Sequence, residues 1–302
     1  MTTADFLAQA TDQIELGYPD EAVARLMVLL DLAAEESAQL DRARGAMLAH
    51  PLYARLSQEP VMALAQGDDP DRINQLVSAI CAAEGGWNAG HGSTALGRIM
   101  AASTLHRAIR ARVRHADDML ARAWRDGRSI AVLGESFDVE LAGLRGRDLS
   151  NLTITANTPA RFSSLTAQLG PSAATLLQSP ADFLAAARTS GARFDLIYLP
   201  RAAEAMGSAR LAELFDQACK VLNPAGSIVA PAFLAGRVAR GWQQAGLNWT
   251  VQSHTEAALE AACQLQNSRI RMIGDQTGCF VWLVASQVCP QPIKQGNDNG
   301  YE

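Results

Sequence analysis

Lysine is almost missing from this chain. Of its 26 lysine and arginine residues only Lys220 and Lys294 are lysine, which together with the abundant alanine reads as genome composition rather than function. Acids outnumber bases, 31 to 26, for a net charge of −5. That balance argues against broad binding to nucleic acid or to an anionic membrane surface. Cysteines are few and unpaired in pattern. Cys81, Cys219, Cys263, Cys279 and Cys289 are odd in number, widely spaced and without a C-x-x-C, which suggests neither a disulfide framework nor a zinc knuckle. His50, His106, His115 and His254 show no ligand spacing either, so no metal is expected. Long apolar runs are lacking. The longest, residues 22–34, is interrupted by Arg25 and Asp31, and no segment is fit to span a bilayer. The opening MTTADFLAQATDQIEL has no basic n-region and no apolar h-region. The expectation is a reduced, cytoplasmic protein with no nucleic-acid partner. Repeats, low-complexity tracts and heptads are absent as well.

What remains is ample core material. The hydrophobic fraction is 48% and the charged fraction 19% in 302 residues, which suits one large domain or two modest ones and not a disordered chain. The first part reads as helices. Pro19-Asp20-Glu21 opens a run with Val23, Leu26, Met27, Leu30 and Ala34 near helical spacing. Further helices are expected over 35–48, 51–56, 61–65, 71–83 and 103–124, with a glycine-rich loop at 84–93. After residue 128 short β-prone runs alternate with helix-length segments. Strands are expected at 129–134, 151–156, 173–178, 194–199, 226–230, 249–252 and 278–285, and helices at 139–144, 159–169, 181–189, 208–222, 234–245 and 255–266. Such alternation implies a parallel sheet covered on both faces, with the last strand able to insert antiparallel. Residues 288–302 are polar and read as a tail.

Phe194-Asp195-Leu196-Ile197-Tyr198, a helix, and then Leu222-Asn223-Pro224-Ala225-Gly226-Ser227-Ile228-Val229 resemble the FDLIY and L-K-P-G-G-x-L-L segments of class I S-adenosyl-L-methionine-dependent methyltransferases. More narrowly, the chain is similar to a bacterial family of these enzymes with an N-terminal helical domain, which includes extracellular-factor 3-hydroxypalmitate methyl ester biosynthesis proteins. The pieces that carry this are His50-Pro51-Leu52, Asn88-Ala89-Gly90-His91, Ala108-Ile109-Arg110-Ala111-Arg112, Thr255-Glu256-Ala257-Ala258-Leu259 after Trp249, and Asp275-Gln276-Thr277-Gly278. They lie in the family's order across residues 50–286. The resemblance implies a seven-stranded, Rossmann-like α/β sheet with an all-helical N-terminal domain over 1–125, a methyltransferase-like domain over 126–287 and a flexible tail. It implies S-adenosyl-L-methionine as cofactor and a small-molecule substrate, such as the carboxylate of a hydroxy fatty acid. A homodimer through the helical domain is a further expectation.

The cofactor segments depart from the family. Gly134 follows the first strand, but Ser136 stands for the central glycine and Phe137 for the next small residue, while Glu140 and Leu141 match. The second strand ends in Ala156-Asn157-Thr158-Pro159, where an acid would accept from both ribose hydroxyls, and Leu199-Pro200-Arg201-Ala202-Ala203-Glu204 replaces the small-residue segment beside the transferred methyl. The candidate cofactor contacts are Gly134, Ser136, Glu140, Asn157 and Asp182. Glu140 reads equally as an acid meeting a helix macrodipole, Asn157 as a turn residue before proline, and Asp182 as an exposed first-turn acid. Arg110, Arg112 and Arg201 are candidate substrate contacts. Arg110 and Arg112 are two apart on a helix and do not share a face, so one of them would clamp a carboxylate, or both belong to a solvated basic face. Tyr198 and His91 are candidates for the catalytic roles, against a strand-end tyrosine and a plain loop histidine. Two readings stay open: a methyltransferase, and a catalytically inactive methyltransferase-like binding module in which Phe137 or Arg201 fills the cofactor volume.

Overall fold

The computed structural model describes residues 3–69, 71–82, 100–235, 240–263 and 268–287. His91, the glycine-rich loop and the tail lie outside the described residues. The chain begins with helices α1 (Thr3–Glu15), α2 (Pro19–Ala33), α3 (Ser37–Ala49), α4 (Pro51–Leu56), α5 (Pro60–Ala65) and α6 (Arg72–Ala82). Proline stands in the first turn of α2, α4 and α5, where its fixed φ suits a helix start and its missing N–H is not needed. Helix α1 was not foreseen from the sequence. It forms because Leu7 and Ala10 share a face that packs into the helical core at 1% and 0% exposure.

Helix α7 (Thr104–Arg125) is the axle of the molecule. Ser103 caps it by accepting from the His106 N–H. Its buried face runs through Leu105, Ile109, Val113, Ala116, Leu120 and Ala123 at three- and four-residue steps. The first three join the helical core and the last three the core under the sheet. Truncating Leu120, which is wholly buried, to alanine would cost about 2–5 kcal/mol.

The sheet holds β1 (Ile130–Val132), β2 (Leu152–Ala156), β3 (Ala174–Leu177), β4 (Phe194–Tyr198), β5 (Leu222–Leu234), β6 (Ser253–His254), β7 (Ser268–Gly274) and β8 (Phe280–Gln287). A seven-strand path runs β3-β2-β1-β4-β5-β8-β7, with the short β6 beside the end of β5. Strands β1 to β5 are mutually parallel, and β8 enters antiparallel between β5 and β7. This is the class I methyltransferase sheet that the sequence resemblance implies, including its antiparallel insertion. The connections are α8 (Pro159–Leu169), α9 (Pro180–Ser190), α10 (Ala202–Ala205), α11 (Ser208–Cys219) and α12 (Glu256–Cys263), with a 3-10 helix at Asp138–Leu144. Among the described residues no helix is long and apolar enough to cross a membrane.

Three expectations fail locally. The helix expected from Leu234 is strand at its start, because β5 keeps pairing with β8 as far as Phe233 opposite Phe280. Among the described residues that follow, 240–241 are helical as expected and run into a π-turn, Trp242–Gly246. The strand expected at 249–252 is irregular chain, since Trp249 is drawn into the core at 2% exposure and meets Phe137 and Phe233 edge-on. Strand β7 was not anticipated at all. The helices also share one core with the sheet's near face, which takes in Phe137, Phe233, Trp242, Trp249 and Phe280. At Gly241 the two approach most closely. An added Cβ would sit 1.9 Å from the Leu30 carbonyl oxygen, and the Gly241 N–H donates to Asp31 Oδ1 at 2.7 Å.

Candidate functional site

In the order β3-β2-β1-β4-β5 the chain reverses direction of winding between β1 and β4, and in such sheets ligands bind outside the carboxyl ends of the strands at that point. The turn after β1 is built for close approach. Gly134 adopts φ +100°, a conformation that costs glycine little, and its N–H donates to Thr155 Oγ1 at 2.8 Å. Ser136 follows, 2% exposed, with a buried hydroxyl that has no partner. Phe137 is 1% exposed and two guanidiniums stand near its ring, with Arg112 Cζ 5.0 Å and Arg201 Cζ 5.6 Å from its centroid.

Beneath this turn is a sealed cluster of charge. Arg112, from α7, is 1% exposed and uses all three guanidinium nitrogens. Nε donates to Glu140 Oε1 at 3.2 Å, Nη1 to Glu204 Oε1, and Nη2 to the Pro200 carbonyl at 2.7 Å. Glu140 also accepts from the Tyr198 hydroxyl at 3.1 Å and from the Phe137 N–H at 3.2 Å. Glu204 Oε2 accepts from Arg201 Nε at 3.2 Å. Burial raises the Glu140 carboxyl above its ordinary value, opposed by Arg112. Burial and then the neighbouring Glu140 charge push the Tyr198 hydroxyl well above its own. For Arg112 burial works against the charge, but the two carboxylates outweigh it and hold the guanidinium protonated. One arginine therefore ties α7 to the β1 turn, the end of β4 and α10.

Above it an open cleft of about 440 Å³ lies between the start of α6, the 135–137 turn, the start of α8 and Arg201. Asp138 joins these parts. It exchanges two hydrogen bonds with Asn74 of α6, each 2.9 Å, and pairs with Arg161 Nη1 at 2.5 Å. Arg161 Nη2 donates to the Ser136 carbonyl at 2.5 Å.

Of the residues singled out from the sequence, Gly134, Ser136, Glu140, Tyr198, Arg112 and Arg201 come together here. Arg110 turns away and donates to the Ala101 carbonyl at 2.7 Å. Asn157 is exposed at the end of β2. Asp182 is exposed on the first turn of α9, accepting from the Ser179 hydroxyl at 2.6 Å. Glu135, Arg161 and Glu204 were not singled out. Arg161 carried a signal, since a basic residue in a helix's first turn opposes the macrodipole and asks for a local anion. Glu204 carried none before its pairing with Arg112 was visible.

No protein-family model and no curated protein matches the sequence. Solved structures do resemble it in backbone course. A possible exported protein from Bordetella parapertussis is 17% identical with a TM-score of 0.46, covering 95% of this chain and 96% of that one. Magnesium protoporphyrin IX methyltransferase from Synechocystis PCC 6803, with bound SAH, is 10% identical with a TM-score of 0.45, covering 66% and 90%. DesVI from Streptomyces venezuelae is 12% identical with a TM-score of 0.44, covering 59% and 92%. At such low identity the residues of the site have to be judged by their own geometry.

Proposed function

We propose that the protein is an S-adenosyl-L-methionine-dependent methyltransferase acting on a small carboxylate. One observation carries this reading: the positive-φ turn at Gly134 stands at the sheet's switch point and opens directly onto a charged cleft. The donor set fits the cofactor in kind. Gly134 leaves the backbone of the turn free of a side chain, Asn157 at the end of β2 is an exposed amide for a ribose hydroxyl, and Asp182 keeps Oδ1 open to accept from an adenine amino group. The neutral Asn157 makes a weaker acceptor than a carboxylate, so modest affinity is expected. When bound, the cofactor supplies an electrophilic methyl group on a sulfonium. The chain's own contribution is alignment and exclusion of water. Phe137 and Trp249 wall the turn with apolar surface, and Arg201, whose Nη2 has no partner, is the cation for an acceptor carboxylate. A carboxylate acceptor is already charged and needs no base, which agrees with a Tyr198 hydroxyl kept protonated.

A second reading, a methyltransferase-like module without catalysis, is favoured by the sealed cluster, because Arg112 and Glu140 spend their polar atoms on each other and on their neighbours. Calorimetric titration with S-adenosylhomocysteine separates the two. Binding, with a rise in melting temperature, supports the first reading. No heat and no shift at about 1 mM ligand, the range of the weakest useful affinities, supports the second. Cytoplasmic location, a homodimer through the helices, absence of nucleic-acid binding and the division near residue 125 belong to the same proposal. Light scattering checks the dimer and limited proteolysis the division.

A further inference from the structure

We infer that the cleft above Phe137 selects a zwitterionic small molecule, one with a cationic and an anionic end. Three carboxylates and three guanidiniums line it: Asp69, Asp71 and Glu135 against Arg72, Arg161 and Arg201. The charges cancel in sum but not in place. Asp69 and Asp71 form the rim on the helical side, just before α6 and at its start. Arg161 and Arg201 stand on the sheet side, at the start of α8 and after β4; Asp138 pairs with Arg161 and Glu135 with Arg201, so the cation this wall leaves open is Nη2 of Arg201. Arg72 does not upset this division, because its guanidinium is held back by the Ala65 and Asn248 carbonyls at 2.9 and 2.7 Å. An open carboxylate oxygen on one rim and an open guanidinium nitrogen on the other reward a dipole aligned with them more than a single ion.

Open valences match the two ends. On the anionic rim Asp71 spends Oδ2 on Asn74 at 3.1 Å, which leaves Oδ1 for an ammonium group. On the cationic wall Arg201 spends Nε and Nη1 on Glu204 and Glu135, which leaves both protons of Nη2. Ser136, 2% exposed and lining the same cleft, has a hydroxyl with no partner. The first turn of α8 adds its positive end to the same wall. The inference narrows the small carboxylate proposed above to one that also carries a cation. It rests on that reading for the fate of the ligand, not for its binding.

The test is calorimetric titration of the full chain with β-alanine, 4-aminobutyrate and 6-aminohexanoate, which vary the separation of the charges, and with hexanoate and hexylamine, which carry one charge each. At least one ω-amino acid is expected to bind about tenfold more tightly than either singly charged probe. Arg201→Gln and, separately, the double variant Asp69→Asn/Asp71→Asn are each expected to lose about that factor. Since both acids are exposed, the double variant keeps the test intact if Arg201→Gln does not fold. Saturating S-adenosylhomocysteine is expected to leave the affinity unchanged. Three outcomes overturn the inference: hexanoate binding as well as the ω-amino acids, which makes this a plain anion site; displacement by S-adenosylhomocysteine, which makes it the amino-acid end of the cofactor's own site; or no binding by any probe at about 10 mM. If S-adenosylhomocysteine itself fails to bind, the proposed reaction falls while the charge preference of the cleft stands on its own titration.

Discussion

Two groups of charged residues meet beside Phe137, joined through Glu204, made from the same kinds of side chain and used in opposite ways. Below the ring, Arg112, Glu140, Glu204 and Tyr198 are sealed from water, and the arginine donates from every nitrogen. Above it, Arg201, Arg161 and Glu135 face a cleft and keep valences open. Without water to compete, every bond in the lower group is strong and every missing one would be expensive, so it acts as a fixed joint. In the upper group solvent reaches the Arg201–Glu135 pair and weakens it, and what that pair loses as a joint it gains as a surface for ligand.

The largest effect should come from breaking the joint. Arg112→Met leaves Glu140 buried without its cation and Glu204 with Arg201 alone, and is expected to cost about 3–5 kcal/mol in urea or thermal unfolding. The triple variant Arg112→Met/Glu140→Gln/Glu204→Gln should recover much of that loss. If it does not, the cluster is stabilising through its packing and the contrast with the cleft is overstated.

Next comes Asp138→Ala, which cuts the only pieces of the upper group that behave like the lower one. It removes one partner each from Asn74 and Arg161, and about 1–3 kcal/mol is expected from the buried groups left unsatisfied. A loss below a few tenths would mean that solvent already satisfies them.

A pH series sharpens the comparison further. Burial raises the Glu140 carboxyl above its ordinary 4.5, with Arg112 opposing. The folded protein therefore holds this proton where the unfolded chain has released it. The stability that follows is fully present below the unfolded value and is lost as pH rises through the folded one. Wild type should thus lose stability relative to Glu140→Gln as pH climbs above 4.5, read from paired unfolding curves. A gap that stays constant would show a carboxylate ionised as easily as one in water.

The smallest stability effect belongs to Arg201→Gln. Its side chain is 26% accessible, its Glu135 partner is open to solvent, and buried Glu204 keeps Arg112, so about 1 kcal/mol should be lost. Its effect should appear in ligand titration instead. A large destabilisation would move Arg201 from the cleft into the joint.

Much of this fold could be read from sequence because it is local. Strands β1 to β4 and helices α8 and α9 appear within about two residues of their expected places, where apolar runs and Pro159 or Pro180 mark the edges. The region after residue 230 could not be read so well. Strand β5 carries Pro224 and Pro231, which ordinarily argue against a strand, and pairing with β8 and, at its end, with β6 keeps it extended to Leu234. Strand β7 alternates Arg269 and Arg271 with Ile270 and Met272, a period-two signal too short to stand out. In the site, Gly134 was legible because a turn after a strand is a local demand. The partnership of Arg112 with Glu140 and Glu204 spans 28 and 92 residues. No spacing rule reaches that far, and the neighbouring arginines of α7 look alike until the helix is docked.

Gly241 carries a lesson for anyone who would take the protein apart. With the Leu30 carbonyl 1.9 Å from where a Cβ would be, every side chain is refused, alanine included. In a saturation library this position should stand out as a blank row within a helical turn, with no chemistry of its own to explain it. The same refusal ties two stretches of the gene to each other. A graft that exchanges the helical part for a foreign one inherits a glycine cut to fit a carbonyl that is no longer there, so the halves have to be transplanted as a matched pair.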